Sequence, residues 1–396
     1  MSLIKKLIIC LLVVCCIIII FNLLIQRKYI HQNTLYKEGM LSETSELGSV
    51  EVHNNSIAVA NVQNTSLALS QYCIKSSYNT ALTGNYINTN MIKYVLSRGC
   101  RFLDFEVYSL KGNPCVAYST DNTFSSINTQ NSIPLSQVLS IIGTYGFMAP
   151  SPNPTDPLFV HLRIKSTSKE IYSQIAQNID ANIKHLLYSD ANGDIIKVNG
   201  KTILKNLVGK IVIIVDRSFA PNYASVSNSN CPDSTVQSKG CYYLADYVHM
   251  ESGGDTIRKY TYTNMTSQMY STPNIMDDGI NTDVKNLKMV TPDLITNIFG
   301  MLSNPSYFSI PINYGAQIMA YPFYIIDSNL GGYESVFSNF GAAIVPMSDM
   351  IKYINTAVYP SNVNNNAKLL STPTLAPAPS RSTINNGPLP ILLPLT

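Results

Sequence analysis

One short segment constrains the fold more than any other. Residues 210–215 read Lys-Ile-Val-Ile-Ile-Val, apolar on both alternating faces after the first position. A strand of that kind meets water on neither side, which is the pattern of parallel sheet covered by helices. Its neighbourhood agrees. Residues 158–164, Leu-Phe-Val-His-Leu-Arg-Ile, read as a strand, and behind them Ile171, Ile175, Ile179 and Ile183 recur every fourth residue, with Ser166 to Ser168 available as caps. Further helices are expected from Met91, Ile92, Val95 and Leu96, capped by Thr89 and Asn90, and from Leu135, Val138, Leu139 and Ile142 after Pro134. Alternation of such strands and helices predicts an α/β fold, a TIM-type (β/α)8 barrel. Between Arg217 and Lys288 the pattern dissolves and reads as an insertion or a linker. It returns with a helix expected over 291–302, a strand over 316–320, a helix over 333–340 and a strand over 342–345.

The flanks are of a different kind. Residues 7–25 form an apolar run interrupted only by Asn22, with Lys5 and Lys6 before it and Arg27 and Lys28 after it. At about 1.5 Å per residue the run approaches the thickness of a hydrocarbon core of about 30 Å, so one N-terminal transmembrane helix is expected. The rival, a cleaved signal peptide, lacks its small-residue cleavage site. The expected organisation is a short segment 1–6, an anchor 7–25, a polar stalk 26–68, a barrel 69–355 and a disordered Pro/Asn-rich tail 356–396. Cys231 and Cys241 close a short polar loop and are expected to form a disulfide, while Asn54, Asn64 and Asn264 head glycosylation sequons. The disulfide suits an oxidising compartment, so the barrel is expected on a lumenal, extracellular or virion-exterior face; the sequons fit that side but add little, since such tripeptides arise by chance in an Asn-rich chain. With 13% charged residues and a net charge of +3, no Lys/Arg patch is dense enough for nucleic acid.

Within the barrel one strand carries an oddity. In residues 101–108, Arg-Phe-Leu-Asp-Phe-Glu-Val-Tyr, the period of two points Asp104 and Glu106 the same way from an otherwise apolar segment. Two acids so placed require a cation, a shared proton or water.

The run Ser76-Ser77-Tyr78-Asn79-Thr80-Ala81-Leu82-Thr83-Gly84, followed by Arg98-Gly99-Cys100-Arg101-Phe102-Leu103-Asp104-Phe105-Glu106, resembles the X box of phosphoinositide-specific phospholipase C. Residues 315–320 and 339–346 are similar to the end of its Y box, dividing the barrel into an X-like part 69–216, an irregular part 217–288 and a Y-like part 289–355. The resemblance implies a TIM-type barrel and calcium-dependent phosphodiester chemistry with two catalytic histidines. Those positions are Tyr78 and Ser119 here, and neither titrates near neutrality. The implied calcium positions Asn79, Asp104 and Glu106 keep oxygen donors, but the fourth is Arg163, expected to lie between the two carboxylates and replace the ion. Phosphate-binding lysines are replaced by Ile214 and Asp216. His161, two residues before Arg163, is either a relocated base or a hydrogen-bonded core residue; His185 and His249 read as surface residues. The expectation is therefore a catalytically degenerate, membrane-anchored module without a cofactor, recognising a phospholipid head group or a glycan. The alternative is an active divergent phosphodiesterase, with calcium, on phosphoinositide or glycerophosphodiester lipids.

Overall fold

Eight parallel strands close on themselves: β1 (Tyr72–Ser77), β2 (Phe102–Leu110), β5 (Leu158–Lys165), β6 (Ile211–Asp216), β7 (Met250–Ser252), β8 (Ile257–Thr261), β9 (Leu287–Thr291) and β10 (Ile318–Tyr321). Three short strands lie outside the ring. β3 (Asn113–Val116) turns back antiparallel on β2, β4 (Ile133–Pro134) follows it, and β11 (Ile344–Pro346) runs antiparallel to β1. This computed structural model describes residues 14, 18–23, 65–224 except 122, 241–267 except 255, 286–293 and 303–358. The chain divides into two units, 1–50 and 51–396, and the barrel belongs to the second.

Register fixes the kind of barrel. Phe102 faces Phe159, which faces Val212; two residues up, Ile214 faces Met250; two residues up again, Ser252 faces Ile257 and then Leu287. Met289 faces Ile318, which faces Ile74, and Ser76 returns to Phe102. The circuit closes after four steps of two residues, a net stagger of eight, which is the shear of a TIM barrel.

The inward face changes character along the strands. Toward their N-terminal ends Ile74, Phe102, Phe159, Val212, Ile214, Ile257, Leu287, Met289 and Ile318 form the apolar core. Continuing at the period of two, β2 presents Asp104 and Glu106, β5 presents His161, Arg163 and Lys165, and β6 presents Asp216, all buried. The barrel is thus apolar below and ionic at its C-terminal mouth, the end where TIM barrels carry their sites.

Helices cover the ring: α1 (Thr89–Ser97), α2 (Leu135–Tyr145), α3 (Glu170–Ile183), α4 (Tyr262–Ser267), α5 (Ser309–Tyr314), α6 (Ser328–Phe340) and α7 (Met347–Tyr353). The isoleucine stripe of α3 is buried as its period requires. Its expected serine caps are not used, because the helix begins after Lys169 and Ser168 Oγ instead donates to the Glu170 carboxylate at 2.5 Å. The cap of α1 is Asn88, which accepts from Asn90 N–H.

The stretch 217–288 corrects the sequence reading most. It holds β7, β8 and the start of β9, three of the eight staves. Their inward residues include Ser252 and Lys259, and β8 is half-exposed, so no apolar run betrays them. β7 and β8 also lack a helical crossover. Since β8 starts level with the end of β7, residues 253–256 need only step sideways by one strand spacing, about 4.8 Å. Thr291 ends a strand and does not start a helix, and residues 294–302 lie outside the described residues.

His249 corrects a second expectation. It is 1% exposed, its Nδ1 accepting from Ile213 N–H at 3.0 Å and its Nε2 bonded to Tyr188 O at 3.0 Å. Cys241 is disulfide-bonded, and Cys231 lies outside the described residues. So do most of residues 7–25, all of 26–64 and everything after Val358. Among the described residues no helix is long and apolar enough to cross a membrane.

Candidate functional site

The two carboxylates of β2 find their counter-charge on the adjacent strand. Parallel pairing sets Asp104 beside His161 and Glu106 beside Arg163. Arg163 Nε donates to Asp104 Oδ1 at 2.9 Å, while one terminal nitrogen donates to Asp104 Oδ2 at 2.6 Å and to Asn79 Oδ1 at 2.5 Å. The other terminal nitrogen donates to Glu106 Oε1 at 2.6 Å and to the Tyr78 hydroxyl at 3.1 Å. Those are all five N–H groups of a guanidinium. The guanidinium also stacks on the Tyr78 ring, 4.5 Å from its centroid.

Backbone placement explains why these groups converge. Asn79 sits in the left-handed region at φ 45°, just past the end of β1, where its N–H meets Asp104 Oδ2 at 3.0 Å. Tyr78 is held by its N–H to Tyr321 O at 2.7 Å. Ser119, beyond β3, donates its N–H to Glu106 Oε2 at 3.3 Å and its hydroxyl to Asn128 Oδ1 at 3.0 Å. The two positions that the resemblance aligns with histidines thus both bond to groups of the same ionic network.

Electrostatics follows the geometry. Burial pushes the Asp104 carboxyl up, but the Arg163 charge and the bond from His161 outweigh it and hold Asp104 well below the usual carboxylate range. Burial depresses Arg163, and its attraction to Asp104, Tyr78 and Glu106 more than restores it. Tyr78 is raised by burial, only partly offset by Arg163. A phenol so placed stays protonated and is no general base near neutrality.

His161 is 0% exposed and bonded on both ring nitrogens, Nδ1 to Asp104 Oδ1 at 2.7 Å and Nε2 to Ser252 Oγ at 2.7 Å. It belongs to the polar interior rather than to a solvent-facing surface.

Three residues of this mouth escaped the sequence reading. Lys165 pairs with Glu106 Oε2 at 3.0 Å and donates to Ser119 O at 3.2 Å. Burial lowers its pKa, opposed by Glu106. Lys259, from the unrecognised β8, pairs with Asp216 Oδ2 at 2.5 Å, and Ser252 comes from the still shorter β7. Lys165 lies on the face of Arg163 two residues on, so the period of two was a usable signal; for Lys259 and Ser252 there was none. Both ammonium groups lie against the Phe219 ring, at 5.2 and 4.7 Å.

Residues 65–217 match the sequence model of the phosphatidylinositol-specific phospholipase C X domain. That part of the chain is similar to the family. Solved structures share the fold: S. officinalis PLC21, with a TM-score of 0.54 and 18% identity, covers 73% of this chain, and L. pealei PLC21, at 0.51 and 18%, covers 73%. This chain spans 38% of the length of each. A search of curated proteins finds no relative.

For a PLC-like barrel the implied metal is calcium, and the donor set here does not fit it. Asn79, Asp104 and Glu106 are gathered around a fixed guanidinium that already takes an oxygen from each. The one buried donor left unsatisfied beside them is Asn79 Nδ2, which is no ligand for a cation. Among the described residues no cluster of His, Cys, Asp and Glu is arranged to hold a metal ion.

Proposed function

We propose that this is a catalytically degenerate PLC-like ectodomain, held to a membrane by residues 7–25, that works as a binding or structural module. The observation that carries the reading is the saturation of Arg163. All five of its donors are used on Tyr78, Asn79, Asp104 and Glu106, leaving none for a phosphate. Charge balance supports it: Arg163, Lys165 and Lys259 are each paired with Asp104, Glu106 or Asp216, so the mouth offers no uncompensated charge to an anionic substrate. A neutral polyol or glycan suits such a mouth better than a phosphorylated head group.

The disulfide at Cys241 supports an oxidising compartment for the barrel. A second reading, an active divergent phosphodiesterase, draws on His161, whose bonds to Asp104 and Ser252 repeat the order of an acid, a base and a hydroxyl. Its complete burial weighs against it, since a base must reach the proton it removes.

Purified protein assayed on phosphatidylinositol and on glycerophosphodiesters, with calcium and with chelator, is expected to show no turnover. Turnover abolished by His161→Ala would instead establish the second reading. Titration calorimetry is expected to detect no calcium binding to the native chain, and tight binding would overturn the arginine replacement.

A further inference from the structure

The end of the barrel opposite the mouth carries a surface that neither the ionic site nor the core explains. The domain has four well-exposed large apolar side chains among its described residues: Met148 at 55%, Ile203 at 36%, Val208 at 43% and Ile326 at 47%. Three of them lie in the loops that lead into β5 and β6, at the N-terminal face. Gly209 N–H, next to Val208, ties those two loops together through Thr155 O at 2.7 Å. Interleaved with the apolar residues are Lys201 and Lys205, exposed, and Lys210, half-buried. None of the three ammonium groups enters an ion pair among the described residues, and residues 198–210 contain no acid. The nearest exposed acids along the chain, Asp190 and Asp194, belong to a separate hairpin, where Asp190 Oδ1 accepts from Asp194 N–H at 2.9 Å and Asp190 N–H donates to Asp194 O at 2.9 Å.

The same segment receives the chain as it enters the barrel. Leu69 N–H bonds Thr202 O at 2.9 Å, Leu204 N–H bonds Leu67 O at 3.1 Å and Lys205 N–H bonds Thr65 O at 2.9 Å, with an antiparallel bridge between Ala68 and Ile203. Thr65, where the described part of the barrel domain begins, therefore lies beside Lys205.

We infer that this N-terminal face, through Ile203, Val208 and Met148 ringed by Lys201, Lys205 and Lys210, docks on an anionic lipid bilayer. The inference builds on the anchored reading above. Apolar side chains entering the headgroup boundary and lysines over anionic lipid act together on one surface. Such a patch sets the orientation of the barrel on the membrane. The mouth, with Arg163, then faces away from the membrane that carries the chain.

The chain has no tryptophan, so a single indole reports on one site. Full-length Ile203→Trp, Val208→Trp and Phe124→Trp variants, the last beside Phe219 at the mouth, are incorporated in phosphatidylserine-containing vesicles with brominated acyl chains. Bromine is expected to quench the indoles at 203 and 208 and to spare that at 124. Adding Lys201→Glu, Lys205→Glu and Lys210→Glu to Ile203→Trp should weaken docking on the order of 100-fold, at roughly fivefold per lysine, with unchanged circular dichroism. Flotation after carbonate washing tests the anchor separately. Quenching without flotation removes the anchor and keeps the patch. Flotation with unquenched 203 and 208, or with a quenched 124, overturns the proposal, and loss of both signals removes both readings.

Discussion

Arg163 is held by four side chains, and each of them is held by it. Removing it strands Asp104 and Glu106 in the barrel, with His161 still on Asp104 and Lys165 and the Tyr108 hydroxyl still on Glu106. Breaking a buried ionic group in this way costs about 3–5 kcal/mol, so Arg163→Ala is expected to lower the unfolding free energy by that amount in urea titration. Arg163→Lys is expected to recover only part of it, because an ammonium cannot reproduce the planar fork. His249 gives a pH signature. Burial lowers its pKa to about 4 against an ordinary value of 6.5, so the unfolded chain binds the extra proton between those values. The contribution is complete above about pH 6.5 and is lost as pH falls toward 4, amounting to about 3 kcal/mol. Thermal unfolding of His249→Gln across that window should lack this slope. The need for a counter-charge was legible because carboxylates two apart on a strand must share a face; that Arg163 supplies it was implied by the resemblance to the X box. His249 was not, because a lone histidine in polar sequence carries no sign of burial.

At the scale of elements, the outside of β1 holds a second ionic group. Lys75, fully buried, donates to Glu334 at 3.2 Å and to Arg98 O at 2.6 Å, and Arg98 makes two 2.7 Å bonds to the Glu334 carboxylate. One carboxylate from α6 thus clamps β1 and the end of α1. Glu334→Gln leaves two cations without a counter-charge and is expected to cost about 3–5 kcal/mol, read as a lowered denaturation midpoint at unchanged slope. Buried Lys75 gave no signal in the sequence, since a strand lysine ordinarily marks a solvent face. The helices α1, α2 and α3 were legible because each has a regular apolar period. β7 and β8 were not, because three to five residues with polar inward positions fall below any period.

The whole molecule closes through pairings that join distant parts of the chain. β10 lies against β1, β6 against β7, and the Glu334 clamp spans the same seam. A protease site placed within residues 225–230 should, once cut, leave two fragments that co-elute in gel filtration and unfold in one transition. Separation of the fragments would show that the second half adds little to the ring.

The five-donor coordination of Arg163 also bears on how such a sequence can drift. Any single replacement among Tyr78, Asn79, Asp104, Glu106 and Arg163 leaves a buried partner unsatisfied, so each position is conditional on the other four. The group behaves as one inherited character. Lineages carrying this arginine are expected to keep the whole set, and those that lack it to have exchanged several members together, with few viable intermediates between them.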